Sequence, residues 1–165
     1  MAQDRTNMVS FLDIGLLMNG TTSKIVELGD GFTDLKEDWA PETESKQYIN
    51  MKSAANTVKG YKLEMEAERE YLSDDVQNTV DTLFKEFPTG EGCNTYYYRF
   101  YKTDTVSTGV FNAIKVPVTI APKATGGAGG DVLTSSIQIN GNGDAIKGSM
   151  TLSSGTWEFT ASQGV

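Results

Sequence analysis

The sequence predicts a mainly β fold, an antiparallel β-sandwich or partly closed barrel with one flanking α-helix. Three observations predict it. Apolar and polar residues alternate over several stretches, as in strands with one buried face. Only residues 73–87 carry a clear helical period. No strand–helix–strand alternation recurs, so a parallel α/β sheet is disfavoured.

Residues 1–23 read as an N-terminal arm in which Leu12, Ile14, Leu16 and Leu17 are the only core contributors. Residues 24–28 and 32–36 suit short strands about the turn signature Gly29-Asp30-Gly31. Residues 38–57 read as a loop region that is polar at first, holds Pro41 and re-enters structure near Tyr48. Residues 58–71 predict one long strand. Tyr61, Leu63, Met65 and Ala67 take one face; Lys62, Glu64, Glu66, Glu68 and Glu70 take the other. A period of two excludes a helix there. Glutamates in a file repel one another, so that face is either simply solvated or kept negative for a reason.

In 73–87, Val76, Val80, Leu83, Phe84 and Phe87 form a single apolar stripe. Ser73 suits the N-cap, Asp74 and Asp75 the positive end of the helix dipole, and Pro88 with Gly90 the stop. Residues 94–102 form an aromatic strand with Tyr96, Tyr98 and Phe100 opposite Tyr97, Arg99 and Tyr101, so both faces are expected to be covered, one by the strand's own core and one by something else. Residues 112–121 make another strand, with Ile114, Val116, Val118 and Ile120 inward. Pro117 cannot donate to a ladder and so implies an edge or bulge. A last strand spans 156–161 around Trp157 and Phe159.

Residues 129–148 predict two strands joined by the turn Asn140-Gly141-Asn142-Gly143-Asp144. Leu133, Ser135, Ile137 and Ile139 share a face, and Ile146, Gly148, Met150 and Leu152 resume the period. Asn-Gly steps permit positive φ, so the expectation is a tight hairpin.

At 165 residues the chain reads as one domain. It has no apolar run of membrane-spanning length. Asp4 and Asp13 interrupt the apolar start, against a secretory signal, so a soluble chain without membrane insertion is expected. There is no histidine, and Cys93 is the one cysteine. An internal disulfide is thereby excluded, and the common zinc, serine–histidine and general-base chemistries lose their main residue. A net charge of −8 disfavours phosphate contacts. The expectation is a non-enzyme without cofactor or metal.

Residues 126–134 match one copy of a calcium-binding β-roll nonapeptide. Such sites need successive copies, so the glycine-rich stretch 122–130 reads as a flexible loop. Asn19-Gly20-Thr21 fits a glycosylation pattern that has no use in an unsecreted chain.

Between Tyr48 and Phe159 the sequence resembles the tail tube, or major tail, proteins of long-tailed bacteriophages of the siphophage type. The resemblance rests on the strand through Val58 and Tyr61 and the Asp74-Asp75 helix start with Val76, Val80 and Leu83. Pro88-Thr89-Gly90 follows, then the strand from Ala113 to Ile120. The most specific element is Gly143-Asp144-Ala145-Ile146-Lys147-Gly148 before a strand.

The resemblance implies a structural virion protein whose copies close into hexameric rings stacked as a tube that conducts DNA. It implies partners of tape measure, tail terminator and baseplate type, with DNA passing unbound. Location would be the virion tail, after assembly in the host cytoplasm. On that reading Glu64, Glu66 and Glu68 face the lumen, where like charge keeps DNA from sticking. The loop bearing Gly126, Gly127, Gly129, Gly130 and Asp131 sits at ring junctions. Deleting residues 125–130 is expected to leave a folded monomer that makes no tubes. The alternatives are a tube protein of a contractile tail, bacteriocin or secretion machine, and a carbohydrate-binding sandwich that stacks sugars on Tyr96 to Tyr98 and Tyr101.

Overall fold

The computed structural model describes residues 2–162. Among them, eleven strands and one α-helix follow in order: β1 (Met8–Asp13), β2 (Ile25–Glu27), β3 (Phe32–Asp34), β4 (Glu42–Lys46), β5 (Ala55–Gly60), β6 (Glu64–Glu70), α1 (Asp75–Glu86), β7 (Asn94–Ser107), β8 (Val110–Gly126), β9 (Thr134–Gly141), β10 (Ile146–Ser153) and β11 (Thr156–Ala161). The main sheet runs β2-β1-β7-β8-β9-β6-β3, and β10 with β11 joins it through β8. All of its pairings are antiparallel. The mainly β class with a single helix is as the alternation predicted.

The long strand β8 is the seam. It pairs with β7 along one edge and, along the other, with β10 over its first residues and β9 over its last. β9 and β10 therefore lie end to end and do not pair with each other. The tight hairpin expected at 140–144 is instead a corner. There Asn142 N–H donates to Pro117 O at 2.8 Å, and Pro117, in regular register with Tyr96 of β7, lies opposite the gap between the two strands, an edge-like position and not a bulge. The glycines serve close approach. A Cβ on Gly141 would stand 3.0 Å from Leu63 N, and one on Gly143, at φ +152°, 3.3 Å from Pro117 Cγ.

The two faces of β7 enter two cores. Tyr97 joins Leu12, Val116, Val118, Ile120, Ile137 and Ile139 in a core roofed by Val76, Val80 and Leu83 of α1. Tyr98 and Phe100 join Val9, Phe11, Ala113 and Met150 in a second, aromatic core closed by Trp157 and Phe159 of β11. There Phe100 stacks on Phe111 at 4.4 Å and Phe11 lies 5.0 Å from Trp157. Both covers of the aromatic strand thus come from the chain itself.

Four expectations are corrected. The supposed N-terminal arm contains β1, which sits between β2 and β7 with Val9, Ser10, Phe11, Leu12 and Asp13 buried. Its polar members are satisfied locally. The Asp13 carboxylate accepts from Ser23 Oγ, from Gly15 N at 3.1 Å and from Lys24 N at 2.9 Å, while the Ser10 hydroxyl is hydrogen-bonded to Tyr97 OH at 2.8 Å. The helix is capped by Asp74 rather than Ser73, its carboxylate accepting Gln77 N–H at 2.8 Å. Phe87 leaves the apolar stripe: it is the left-handed C-cap at φ +46° and is exposed.

The fourth correction concerns residues 32–70. The expected loop at 38–57 and the expected continuous strand at 58–71 are parts of one antiparallel ribbon. Phe32 pairs with Arg69, Asp34 with Glu68, Asp38 with Glu64, Thr43 with Val58 and Lys46 with Ala55. Its base, β3 and β6, belongs to the main sheet. Its far part, β4 and β5, is a separate two-stranded sheet, with a break at 61–63 between β5 and β6. Tyr61, expected inward, is exposed at this break.

Candidate functional site

β6 alternates strictly between the core and open solvent. Leu63 precedes it, and Met65, Ala67 and Arg69 are buried, while Glu64, Glu66, Glu68 and Glu70 are exposed. α1 packs on the core side, so the glutamates lie on the face that no helix covers. Across the ladder Glu64 opposes Asn140, Glu66 opposes Gln138 and Glu68 opposes Ser136. Lys123 of β8 reaches over β9 to Glu66 at 2.7 Å, with both side chains about half exposed. Such a pair contributes little to stability. The result is a bare, polar, mainly acidic wall built on a fully packed sheet.

Two further carboxylates, Asp74 and Glu37, are held by arginines beside the wall, and the sequence marked Asp74 only as a helix start. Arg69 follows the inward parity of Leu63, Met65 and Ala67 and is 2% exposed. Its guanidinium donates to both Asp74 oxygens, at 2.9 and 2.7 Å, and to Asp30 O at 3.0 Å, and lies over Phe32. Hydrogen bonding from Arg69 holds the Asp74 carboxyl below its ordinary range, with Gln77 N–H adding to the effect against a smaller cost of burial. Glu37, at the ribbon's base, accepts Arg99 Nε at 3.0 Å, Tyr97 OH at 3.1 Å and Trp39 Nε1 at 3.2 Å. The signal for Arg69 was present, in its parity on β6 and in Asp74 five residues on. Glu37 had none, because Tyr97 and Arg99 are distant in sequence.

The glycine-rich stretch divides. Thr125 and Gly126 are the last rungs of β8, paired with Ser135 and Thr134. Gly127, Gly129, Gly130 and Asp131 lie in the connection to β9. This turn stands at the end of the wall where β6 finishes, since Tyr71 N–H donates to Leu133 O at 2.8 Å. Tyr71, Leu72, Val132 and Leu133 are all exposed there.

The Gly143–Gly148 element is split by the corner. Gly143 and Asp144 lie in it, whereas Ile146, Lys147 and Gly148 begin β10 opposite Lys115, Ile114 and Ala113. Gly148 has a packing reason: a Cβ there would fall 2.5 Å from Phe159 Cζ and closer still to Thr160 O.

The aromatic platform required of a carbohydrate module does not form. Tyr97 and Tyr98 are buried, and burial pushes both phenols well above their ordinary pKa. Tyr96 lies half-buried beneath Lys115 Nζ, 4.1 Å from its ring centroid. Sugar stacking on Tyr96 to Tyr98 is thereby contradicted. Among the described residues no helix is long and apolar enough to cross a membrane.

No family model matches the sequence, and a search of curated proteins found no match. Solved structures do match. A chain of the tail of an empty gene transfer agent particle, refined with C6 symmetry, superposes with a TM-score of 0.59 at 10% identity, covering 87% of this chain and 97% of that one. A chain from a native gene transfer agent virion gives 0.59 at 10% identity over 97% and 100%. A chain from the extended sheath–tube complex of an extracellular contractile injection system gives 0.52 at 7% identity over 88% and 90%. The wall, its helix and its two cores thus belong to a fold that this chain shares, over almost its whole length, with chains of tail and injection-system assemblies.

Proposed function

We propose that this chain is the repeating subunit of a tail-type tube. The observation that carries the reading is the bare wall: a sheet face on β6, β9 and β8 that is uncovered by helix or loop and acidic along one strand. Closing such sheets around a ring removes their edges and turns the bare faces inward. Fold alone does not assign function. The wall is what gives this fold a use in the tube.

In the proposed tube the rings are hexameric, in keeping with the C6 symmetry of the gene transfer agent tail. Glu64, Glu66 and Glu68 line the lumen, where a negative wall keeps DNA mobile. The siphophage form is the one proposed, on the sequence resemblance between Tyr48 and Phe159. A tape measure protein inside and terminator and baseplate proteins at the ends are the partners such a tube requires. Assembly in the host cytoplasm precedes incorporation into the virion tail.

Negative-stain microscopy of concentrated protein tests the reading, and hollow tubes are expected. A species that sediments as a monomer at every concentration overturns it. In an assembled tube, glutamates 64, 66 and 68 on the outer surface would overturn the lumenal assignment alone.

A further inference from the structure

Three asparagine–glycine steps occur in the chain, at Asn19-Gly20, Asn140-Gly141 and Asn142-Gly143. Such a step can react with itself, because glycine has no Cβ to shield its amide nitrogen from the side-chain carbonyl carbon of the asparagine. The fold treats the three steps differently.

Asn140 is a rung of β9 between Glu64 of β6 and Thr119 of β8, and Gly141 N–H donates to Leu63 O at 2.7 Å. That nitrogen is engaged, and the ladder on both sides must open before it can move. Asn19 ends a 3-10 turn at φ +61°, and Gly20 N–H donates to Leu17 O at 3.2 Å. Gly20 is also packed so closely that a Cβ there would collide with Gly15 O. Asn142 and Gly143 are both exposed, at the corner between β9 and β10. Asn142 is anchored through its own N–H to Pro117 O, whereas Gly143 N–H makes no hydrogen bond among the described residues. Of the three steps, this one presents a free glycine nitrogen beside an exposed asparagine amide.

We propose that Asn142 is a self-modifying site, at which the folded chain slowly loses ammonia. Gly143 N gives its proton to solvent base and bonds to Asn142 Cγ. The Cγ–Nδ2 bond then breaks, and Nδ2 takes a proton and leaves as ammonia. Water opens the resulting five-membered imide. Opening at Cγ gives aspartate; opening at the main-chain carbonyl carbon gives isoaspartate, whose backbone runs through Cγ and is one methylene longer. Water is the only co-reactant, and nothing is oxidised or reduced. Either product adds one negative charge to a chain already at −8, next to Asp144 and just past the Asn140–Glu64 pair. Isoaspartate also lengthens the corner, beside the Pro117 tie at the point where β9 gives way to β10 along β8. The converted fraction records the time since folding in a free copy as in an assembly, so nothing in this chemistry depends on the tube reading.

Peptide mapping by mass spectrometry of wild-type protein held at mildly alkaline pH tests it, with isoelectric focusing alongside. Asn142 is expected to convert at least about tenfold faster than Asn140 or Asn19, which must first open locally. In denaturant the three rates should converge. Asn142→Gln, whose longer side chain closes an imide poorly, should abolish the new acidic band while its melting matches wild type. An Asn142 that stays intact, or that leads by no more in the folded chain than in denaturant, overturns the proposal. An acidic band that grows equally in Asn142→Gln overturns it as well.

Discussion

Replacing Arg69 by methionine tests the reading of the wall's foundation. The substitution keeps much of the side-chain volume but removes three hydrogen bonds, two to Asp74 and one to Asp30 O. Breaking a fully buried pair usually costs about 3–5 kcal/mol. Here Asp74 is 35% exposed and keeps Gln77 N–H, so water recovers part of the loss. A cost of about 2–3 kcal/mol follows once that screening is allowed for. For a domain of this size the melting temperature should fall by about 4–12 °C.

The pH profile supplies a second, independent readout. The folded pKa of Asp74 lies below its ordinary value of 3.8. A depressed carboxylate stabilises the fold above the unfolded pKa, and that stability is lost as pH falls through the folded one. Wild type should therefore lose stability below about pH 4, and Arg69→Met should lose less over the same interval because its Asp74, left with Gln77 N–H, is less depressed. Calorimetry at pH 7 and pH 3 reads both effects. A melting shift under about 2 °C with an unchanged acid limb would refute the assignment of Arg69 as the clamp between β6 and α1.

Other outcomes follow from the same geometry. Gly148→Ala should destabilise by about 1–3 kcal/mol through overpacking, and Gly148→Ala with Phe159→Leu should recover only part of this, because Thr160 O is backbone; thermal melts of both variants check it. In a spectrophotometric titration of the seven tyrosines, Tyr97 and Tyr98 should resist ionisation until the chain unfolds. Their raised pKa values stabilise the fold below pH 10, a contribution lost as pH rises further. Deleting residues 127–130, which spares the ladder rungs Thr125 and Gly126, should leave a folded monomer with impaired tube formation by negative stain. Glu64→Lys, Glu66→Lys and Glu68→Lys together should leave tubes that retain DNA in a filter-binding assay at low salt and release it at high salt.

The parts of this fold legible in the sequence were those in which one rule acted alone. The alternation of β6 and the stripe of α1 reflect a single buried face, and both were found. Pro117, through its missing donor, marked the local edge at the gap between β9 and β10. The failures came where two rules conflicted. β1 hides Ser10 and Asp13 inside the protein, where loop amides and Tyr97 satisfy them, so its polar residues imitated a surface segment. Asn140 to Asp144 carries strong hairpin chemistry, yet β8 is long enough to accept two successive strands, and tertiary pairing used the turn as a corner. In the ribbon, Pro41 and the polar residues imitated a loop because its strands have no core face within the chain. The glutamate file was readable as a pattern and Arg69 by its parity on β6, while the ties of Glu37 to Tyr97 and Arg99 depend on contacts that only the fold creates.

The placement of β1 has a consequence for the order of folding. Val9 pairs with Phe100 and Leu12 with Tyr97, so the first strand made has no neighbour on that side until β7 has been synthesised. The ribbon, by contrast, closes through contacts near in sequence and can form early. The aromatic core waits longer still, for Trp157 and Phe159 close to the C-terminus. A nascent chain therefore exposes its ribbon before the aromatic core can close. Trp157 fluorescence, set among Phe11, Phe100 and Phe111, would time that last step.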